Sequence, residues 1–526
     1  MFIIQPDQVR QLDQRLTHEL GLAPELLMDT AGRAIADEIA RRLGPGGDRW
    51  AVVLAGVGNN GGDGFVVGRV LATRGWRVEC FVAGELAKLT AAARIHYEAM
   101  AKVGGIELRK VQNALRGPDL QGLRRSLGRA AVIVDALTGI GLSSDLREPV
   151  LTLVSQLDGR YRGLTVAADV PSGLCAATGK ILGAAVHCHL VMTMAAAKPG
   201  LFLNQGPELW GELQVVDIGV PPAWLANSAP LGLQIDAAEI GRNLAQLNKN
   251  TGDHSYKGSF GHLLVVAGSP GKGGAALLCS HAALRAGAGL VTLATAGEIR
   301  GQLEGRLPDV MVEAIRGGAS EIKRIEKLVA GKAALAVGPG LGTGAAEVDL
   351  VARLCALTAV PVLLDADALT ALAQRPELAE PAAGRLVLTP HPGEMARLLG
   401  QEVAEIEADR LTAARNAAER FAAVVVLKGS RTLVAAPDGS WAIANRPNAA
   451  LAKAGSGDVL TGAIGALLAR GLSPFAAALL GVAIHAQAGA LLRAKFGSRG
   501  GLASDLPDLI AAALAQAEGV QVALAG

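Results

Sequence analysis

Residues 51–64 run Ala51-Val52-Val53-Leu54-Ala55-Gly56-Val57-Gly58-Asn59-Asn60-Gly61-Gly62-Asp63-Gly64. The five apolar residues at the start have the length and composition of a buried parallel strand. A helical pattern follows from Phe65 to Arg74, and Arg77 to Val82 is strand-like again. Strand, glycine loop, helix and strand in that order are the building block of α/β folds. Backbone N–H groups at a helix start bind phosphate, and glycine lets a ligand approach closely. No Gly-Lys-[Ser/Thr] follows, so this is not a Walker loop, and its spacing is not that of the dinucleotide fingerprint. Two asparagines and an aspartate in such a loop point to a polar ligand or an alkali ion.

Further strand-like runs occur at Ala131 to Asp135, Leu164 to Asp169 and Leu190 to Met194. The first two end in a carboxylate followed by small residues, Asp135-Ala136-Leu137-Thr138-Gly139-Ile140-Gly141 and Asp169-Val170-Pro171-Ser172-Gly173. Ligands of parallel sheets gather at such strand ends. Asn60, Asp135 and Ser172 offer hard oxygens, which suit hard cations and not zinc or copper. The plainer alternative has Asp135 and Asp169 capping turns. His187 and His189 share one face of a strand around Cys188, as packed strand residues or a metal pair. Upstream, Pro6 to Leu43 has helical spacing and stops at Gly44-Pro45-Gly46-Gly47. Downstream, Pro221, Pro222, Ser228, Pro230 and Gly232 fall close together. The expected division is a first domain over 1–220, a linker over 221–234 and a second domain over 235–526.

The second half restarts the same grammar: strand His262 to Ala267, loop Gly268 to Gly274, helix Ala275 to Ala286. Strand-like runs recur at Ala334 to Val337, Pro361 to Asp365, Leu386 to Thr389 and Val424 to Leu427. Thr432 to Ala436 and Trp441 to Ala444 make a hairpin. Gly455-Ser456-Gly457-Asp458 opens a long apolar helix, so its free N–H groups form an anion hole at the positive end of the helix. Asp458 either caps that helix or deprotonates a hydroxyl about to attack phosphorus. Lys428-Gly429-Ser430-Arg431-Thr432 offers cations and amides to phosphates. Thr389-Pro390-His391-Pro392-Gly393-Glu394 and Val337-Gly338-Pro339-Gly340-Leu341-Gly342 are two more small-residue turns, and the four segments are expected to share one cleft.

Composition narrows the function. Lys+Arg 50 against Asp+Glu 48 gives a net charge of +2, which argues against a polyanion binder. Aromatics are 3%, too few for base-stacking platforms. No nucleic-acid partner is expected. The five cysteines are scattered and never spaced as CxxC, which fits a reducing cytoplasm without disulfides or structural zinc. The N-terminus lacks the pattern of a signal peptide. Leu472 to Leu492 is uncharged, but Pro474, His485 and Gln487 interrupt it, so a buried core helix is expected and no membrane span.

GxGNNGGDG, the DALTGIG strand end and DVPSG together resemble the NAD(P)H-hydrate epimerase family across residues 1–220. That resemblance implies a Rossmann-like three-layer domain interconverting the C6 epimers of hydrated NADH and NADPH (NADHX and NADPHX). It implies hydrate contacts at Asn59, Asn60, Gly61, Gly62 and Asp63 and at Gly139, Ile140, Gly141, Leu142, Ser143, Ser144 and Asp145. Asp169 is implied as the acid/base at the nicotinamide end, with K⁺ held by Asn60, Asp135 and Ser172. Lys198 falls where the family often has lysine. Met28-Asp29-Thr30-Ala31-Gly32 departs from the more usual Met-Glu-Asn-Ala-Gly.

GSGD, with TPHPGE, KGSRT and GPGLG, resembles the ribokinase-like superfamily and, within it, the NAD(P)H-hydrate dehydratase branch over 235–526. This implies an α/β domain that dehydrates the S epimer with ADP or ATP as phosphoryl donor. Asp458 is implied as the base, with Ala275, Gly340, His391 and Asp458 on the hydrate. Lys428, Gly429, Ser430, Arg431 and Thr432, with Gly455, Ser456 and Gly457, are implied on the nucleotide. Glu394, three residues after His391, is implied to help place Mg²⁺. The fused order implies a bifunctional repair activity, and a homo-oligomer is expected. One alternative stays open, a ribokinase-type kinase of a vitamin-precursor alcohol fused to a non-catalytic ligand-binding module.

Overall fold

The computed structural model describes residues 1–157, 161–228, 231–248, 256–315, 321–357, 359–444 and 448–519. Pro230, singled out for the linker, lies outside them. The chain forms two compact units, Met1–Leu231 and Gly232–Gly526. The division falls inside the stretch expected to be a linker, but much of that stretch is ordered. Pro222–Ala226 makes a short helix, because proline at the first helical position presets φ. Gly232–Gln234 is a strand of the second unit.

In the first unit the helical stretch expected over Pro6 to Leu43 is two helices, α1 (Pro6–Leu20) and α2 (Pro24–Leu43). Gly21 at φ 70° ends the first. The strands are β1 (Trp50–Ala55), β2 (Arg77–Ala83), β3 (Ile106–Val111), β4 (Val132–Ala136), β5 (Leu164–Ala168), β6 (Cys188–Met194) and β7 (Trp210–Val216). They pair in the order β3-β2-β1-β4-β5-β6-β7, every pair parallel. The order reverses between β1 and β4, the crevice where ligands of open parallel sheets bind. Helix α3 (Asn59–Thr73) starts six residues earlier than the apolar pattern suggested, because Gly61, Gly62 and Gly64 lie inside its first turns. Their smallness is what lets it start there. A Cβ on Gly61 would sit 1.9 Å from the carbonyl oxygen of Gly56.

In the second unit the strands are β8 (Gly232–Gln234), β9 (His262–Val266), β10 (Leu290–Ala296), β11 (Met311–Ile315), β12 (Ala334–Val337), β13 (Val362–Leu364), β14 (Leu386–Leu388), β15 (Ala423–Leu427), β16 (Leu433–Ala435) and β17 (Trp441–Ile443). Their order is β8-β17-β16-β15-β14-β13-β12-β9-β10-β11. The block from β15 through β11 is parallel. The expected hairpin is the antiparallel pair β16–β17. The helices that matter here are α4 (Gly273–Arg285), α5 (Pro392–Leu399), α6 (Arg410–Arg420), α7 (Ser456–Ala469) and α8 (Pro474–Gly500). Helix α7 crosses α4 at backbone contact, since a Cβ on Gly462 would lie 2.0 Å from the Cys279 carbonyl oxygen. Helix α8 is long and apolar enough to cross a membrane, yet 72% of its most apolar window is buried in the protein. That is the behaviour of a core helix.

Candidate active sites

In the first unit the carboxyl ends of β1, β4 and β5 converge. The Asp135 carboxylate accepts from the Ser172 N–H (2.7 Å) and the Ser172 hydroxyl (2.5 Å). Ser172 Oγ also accepts from the Thr138 N–H at 2.9 Å. Asn60 Nδ2 donates to the Thr138 carbonyl at 2.8 Å. Asn60, Asp135 and Ser172, expected to act together, therefore share one network through Thr138. Burial pushes the Asp135 carboxyl up to about 6 against the bonds it accepts. Asn60 Oδ1 is buried with no hydrogen-bond partner. A buried acceptor without a donor, beside a carboxyl made costly to ionise, is an environment a cation would relieve.

Asp169 follows β5 at φ 68°, a conformation non-glycine residues rarely take and one that clusters at functional sites. Its Oδ1 accepts from Thr193 Oγ1 (3.0 Å) and the Met194 N–H (3.2 Å), and pairs with Lys198 Nζ. Lys198 is fully buried and also donates to Thr193 Oγ1 (3.0 Å) and the Met194 carbonyl (2.9 Å). Among the described residues, the bonds to the Asp169 carboxylate run through Oδ1 and not Oδ2. Asp63 faces the same group. Burial, Asp169 and Asp13 hold its carboxyl well above the ordinary value, against the pull of Lys198. Asn59 Oδ1 accepts from Thr90 Oγ1 at 2.8 Å, which orients the start of the loop. Gly139 lies against Asn60, with a Cβ there 3.2 Å from that of Asn60. Residues 140–145 continue as an irregular loop in which Gly141, Ser143, Ser144 and Asp145 are exposed.

In the second unit Gly455, at φ 90°, caps α7 without any side-chain bond; the Ser456 N–H donates to the Lys453 carbonyl at 3.3 Å, and the first-turn N–H groups after it face the helix end. Asp458 sits in that first turn. Burial and Asp365 push its carboxyl up to about 6, opposed by Lys428. Lys428 donates to Asp365 Oδ1 at 2.7 Å and lies 3.7 Å from Glu394 Oε2. Burial alone would lower its pKa, but Asp365, Glu394 and Asp458 hold it above the usual lysine value. Its Nζ would be 3.4 Å from a Cβ on Gly457, which places the ammonium beside the start of α7. The loop from Lys428 to Arg431 is fastened by the Arg410 guanidinium, which donates to the carbonyls of Leu427, Lys428 and Arg431. A Cβ on Gly429 would be 2.4 Å from that guanidinium, so a larger residue there would displace the arginine.

The two remaining turns join the same place. Gly342 N–H donates to Asp367 Oδ2 at 2.9 Å. Gly340 packs on Lys272 and Ala275, with a Cβ there 3.3 Å from that of Ala275. Ala275 and Gly340, expected on one substrate, are thus neighbours. His391 caps α5: its Nδ1 accepts from the N–H groups of Gly393 (3.0 Å) and Glu394 (3.3 Å), and Glu394 Oε2 accepts from the His391 N–H (2.7 Å). The His391–Glu394 spacing is therefore a capping box. The imidazole Nε2 and Glu394 Oε1 face each other at 3.5 Å.

The sequence did not flag Asp13, Asp365, Asp367, Thr461 or His485. Asp365 ends a strand-like run, the same signal that marked Asp135 and Asp169. His485 Nε2 contacts Ser456 Oγ at 3.2 Å and the Ser456 carbonyl at 3.0 Å from α8. Burial lowers its pKa to about 4, so at neutral pH it holds the start of α7 as an uncharged group. His189 Nδ1 accepts from the Thr165 N–H at 3.0 Å, as a strand residue would. No group of three or more His, Cys, Asp or Glu able to hold a metal occurs among the described residues.

Comparisons with known proteins bear on both units. The family model for the YjeF-related protein N-terminus matches residues 24–200, and that for NAD(P)H-hydrate dehydratase matches residues 263–512. The bifunctional NAD(P)H-hydrate repair enzyme Nnr of Moorella thermoacetica is 37% identical over 97% of this chain and 96% of its own. The proteins of that name from Thermofilum pendens and Salinibacter ruber are 36% and 38% identical, over 95% of this chain and 94% and 93% of theirs. Among solved structures, the ADP/ATP-dependent NAD(P)H-hydrate dehydratase of Bacillus subtilis, co-crystallized with ATP/Mg²⁺, is 29% identical. The match has a TM-score of 0.47 and covers 54% of this chain and 98% of that one.

Proposed function

The chain belongs to the family of bifunctional NAD(P)H-hydrate repair enzymes, and on that premise we propose a division of work between its units. The first interconverts the C6 epimers of NADHX and NADPHX. The second returns the S epimer to NADH or NADPH with ADP or ATP as phosphoryl donor.

In the first unit C6 is a carbinolamine carbon. Its C–O bond breaks as the ring-nitrogen lone pair forms C6=N1, and hydroxide leaves as water after taking a proton. Water then adds to the opposite face and gives up a proton. One acid and one base are needed. Asp63, whose carboxyl is held well above the ordinary value by burial and by Asp169 and Asp13, suits the acid. Asp169, anchored through Oδ1 by Lys198 and Thr193, suits the base. Asn59 to Asp63 and Gly139 to Asp145 line the hydrate. The oxygens of Asn60, Asp135 and Ser172 fit K⁺, which would supply positive charge beside the buried Asp135.

In the second unit hydroxide must become a better leaving group. Asp458 takes the C6 hydroxyl proton as the oxygen attacks the terminal phosphorus and the bond to the nucleoside phosphate breaks. Elimination then expels phosphate and a C5 proton, restoring the C5=C6 bond. The N–H groups of Gly455 and Gly457 and the Lys428 ammonium meet the charge on the moving phosphoryl group. The observation that carries this reading is Asp458 in the first turn of an uncapped helix, beside Lys428. Ala275, Gly340 and His391 contact the hydrate, and Lys428 to Thr432 the nucleotide. With Glu394 Oε2 committed to its capping bond, Mg²⁺ is better held by nucleotide phosphates with one carboxylate than by a protein cage. Four of the five unpaired cysteines are buried, which supports a cytoplasmic setting.

The test is recovery of dihydronicotinamide absorbance from mixed-epimer hydrated NADH with Mg²⁺, K⁺ and either ADP, ATP or no nucleotide. Full, nucleotide-dependent recovery faster than spontaneous epimerisation is expected. Recovery of only the S fraction would remove the epimerase assignment, and none at all would leave the kinase alternative.

A further inference from the structure

Lys428 stands between two carboxylates. Asp365 Oδ1 is 2.7 Å from its Nζ and Glu394 Oε2 is 3.7 Å away. Asp365 is 1% exposed and makes a second bond, accepting from Thr461 Oγ1 at 2.7 Å. Thr461 is on α7, three residues after Asp458, so Asp365 ties the lysine to the helix that carries the base. The carboxylate is itself tightly set. Its backbone N–H donates to the Val337 carbonyl at 3.0 Å, and the next residue, Ala366, takes φ 47°. Behind it, a Cβ on Gly338 would sit 1.9 Å from the Asp365 carbonyl oxygen. A buried charge that accepts two good bonds and faces one ammonium is placed to fix that ammonium, and such sites depend on their supporting contacts.

We propose that Asp365 is a positioning residue of the phosphoryl-transfer site, holding the Lys428 ammonium beside Gly457 through its ion pair and its bond to Thr461. The inference rests on the dehydratase reading above. Without the Asp365 charge, Glu394 is the nearest anion left to Lys428. The lysine then turns toward α5 and away from the start of α7.

Full-length Asp365→Asn, Lys428→Met and the double variant test this, with Thr461→Val as a milder lesion. For Asp365→Asn we expect kcat of nucleotide-dependent dehydration to fall about tenfold or more, with KM for the hydrate within about twofold. Thr461→Val loses about threefold in the same constant. The double variant is no slower than Lys428→Met, because Asp365 acts through the lysine. Calorimetric ADP affinity falls in parallel, and this readout holds even if wild type fails to dehydrate the hydrate, a failure that would belong to the dehydratase reading. Losses that multiply in the double variant would overturn the proposal. So would unchanged kcat and ADP affinity, or full restoration of Asp365→Asn by excess Mg²⁺, which would make Asp365 a metal ligand instead. Melting curves identify an unfolded Asp365→Asn, in which case Thr461→Val with Lys428→Met carries the test.

Discussion

At the scale of single residues, burial of charge tunes both sites. Asp458 is pushed up to about 6, so its folded carboxyl is a stronger base than a solvent-exposed aspartate yet ionised at neutral pH. The dehydration rate should therefore decline as pH falls through about 6, and Asp458→Asn should cost on the order of 10² to 10⁴ in kcat at neutral pH. A flat profile from pH 5 to 7.5 with chemistry limiting would remove Asp458 as the base. The same raised value has a stability sign. The folded state binds the Asp458 proton more tightly than the unfolded chain, so this group's contribution falls as pH rises between about 4 and 6. Asp135 carries the same shift in the first unit. A cation beside it favours the ionised form. Thus K⁺ should raise the first unit's melting temperature more at pH 7 than at pH 5, and Asp135→Asn should remove that effect. Equal stabilisation by choline at matched ionic strength would count against a specific ion.

At the scale of elements, the strands with short apolar runs, several ending in carboxylates, were legible, whereas β3, β7, β8, β10 and β11 were not anticipated. The start of α3 was not, since Asn59 to Gly64 contain almost no apolar residue and become helical only because glycine allows close packing against Gly56 and Met28. The role of α1 was also hidden. Val9, Asp13 and Leu16 share one face at helical spacing, so the pattern places a carboxylate on a buried stripe, but nothing in the sequence says that this stripe meets Lys198. Asp365 was missed for a similar reason, since its partners lie 63 and 96 residues away. The crossing of α4 and α7 gives a prediction at this scale. Gly462→Val puts three carbons where one Cβ would already meet the Cys279 carbonyl at 2.0 Å. It should destabilise the second unit by about 1–3 kcal/mol or more, read as a lower midpoint for heat loss of dehydration. An unchanged midpoint would mean that the crossing is looser than this geometry.

At the scale of the whole molecule, each unit has its own core and its own proposed catalytic carboxylate, so lesions in one should leave the chemistry of the other intact. Asp169→Ala should abolish accelerated epimerisation while leaving nucleotide-dependent dehydration of the S epimer. Starting from mixed epimers, this variant recovers the S fraction quickly and the remainder only at the spontaneous rate. Asp458→Asn should do the opposite, equilibrating the epimers while recovering no dihydronicotinamide. Mixing equal amounts of the two variants then restores full recovery, because the hydrate released by one unit reaches the other through solution. Chiral resolution of the hydrate during the reaction, alongside absorbance, separates the three cases. If the mixture recovers only the S fraction, the epimers are not exchanged between chains, and the fused order would be serving direct transfer within one molecule.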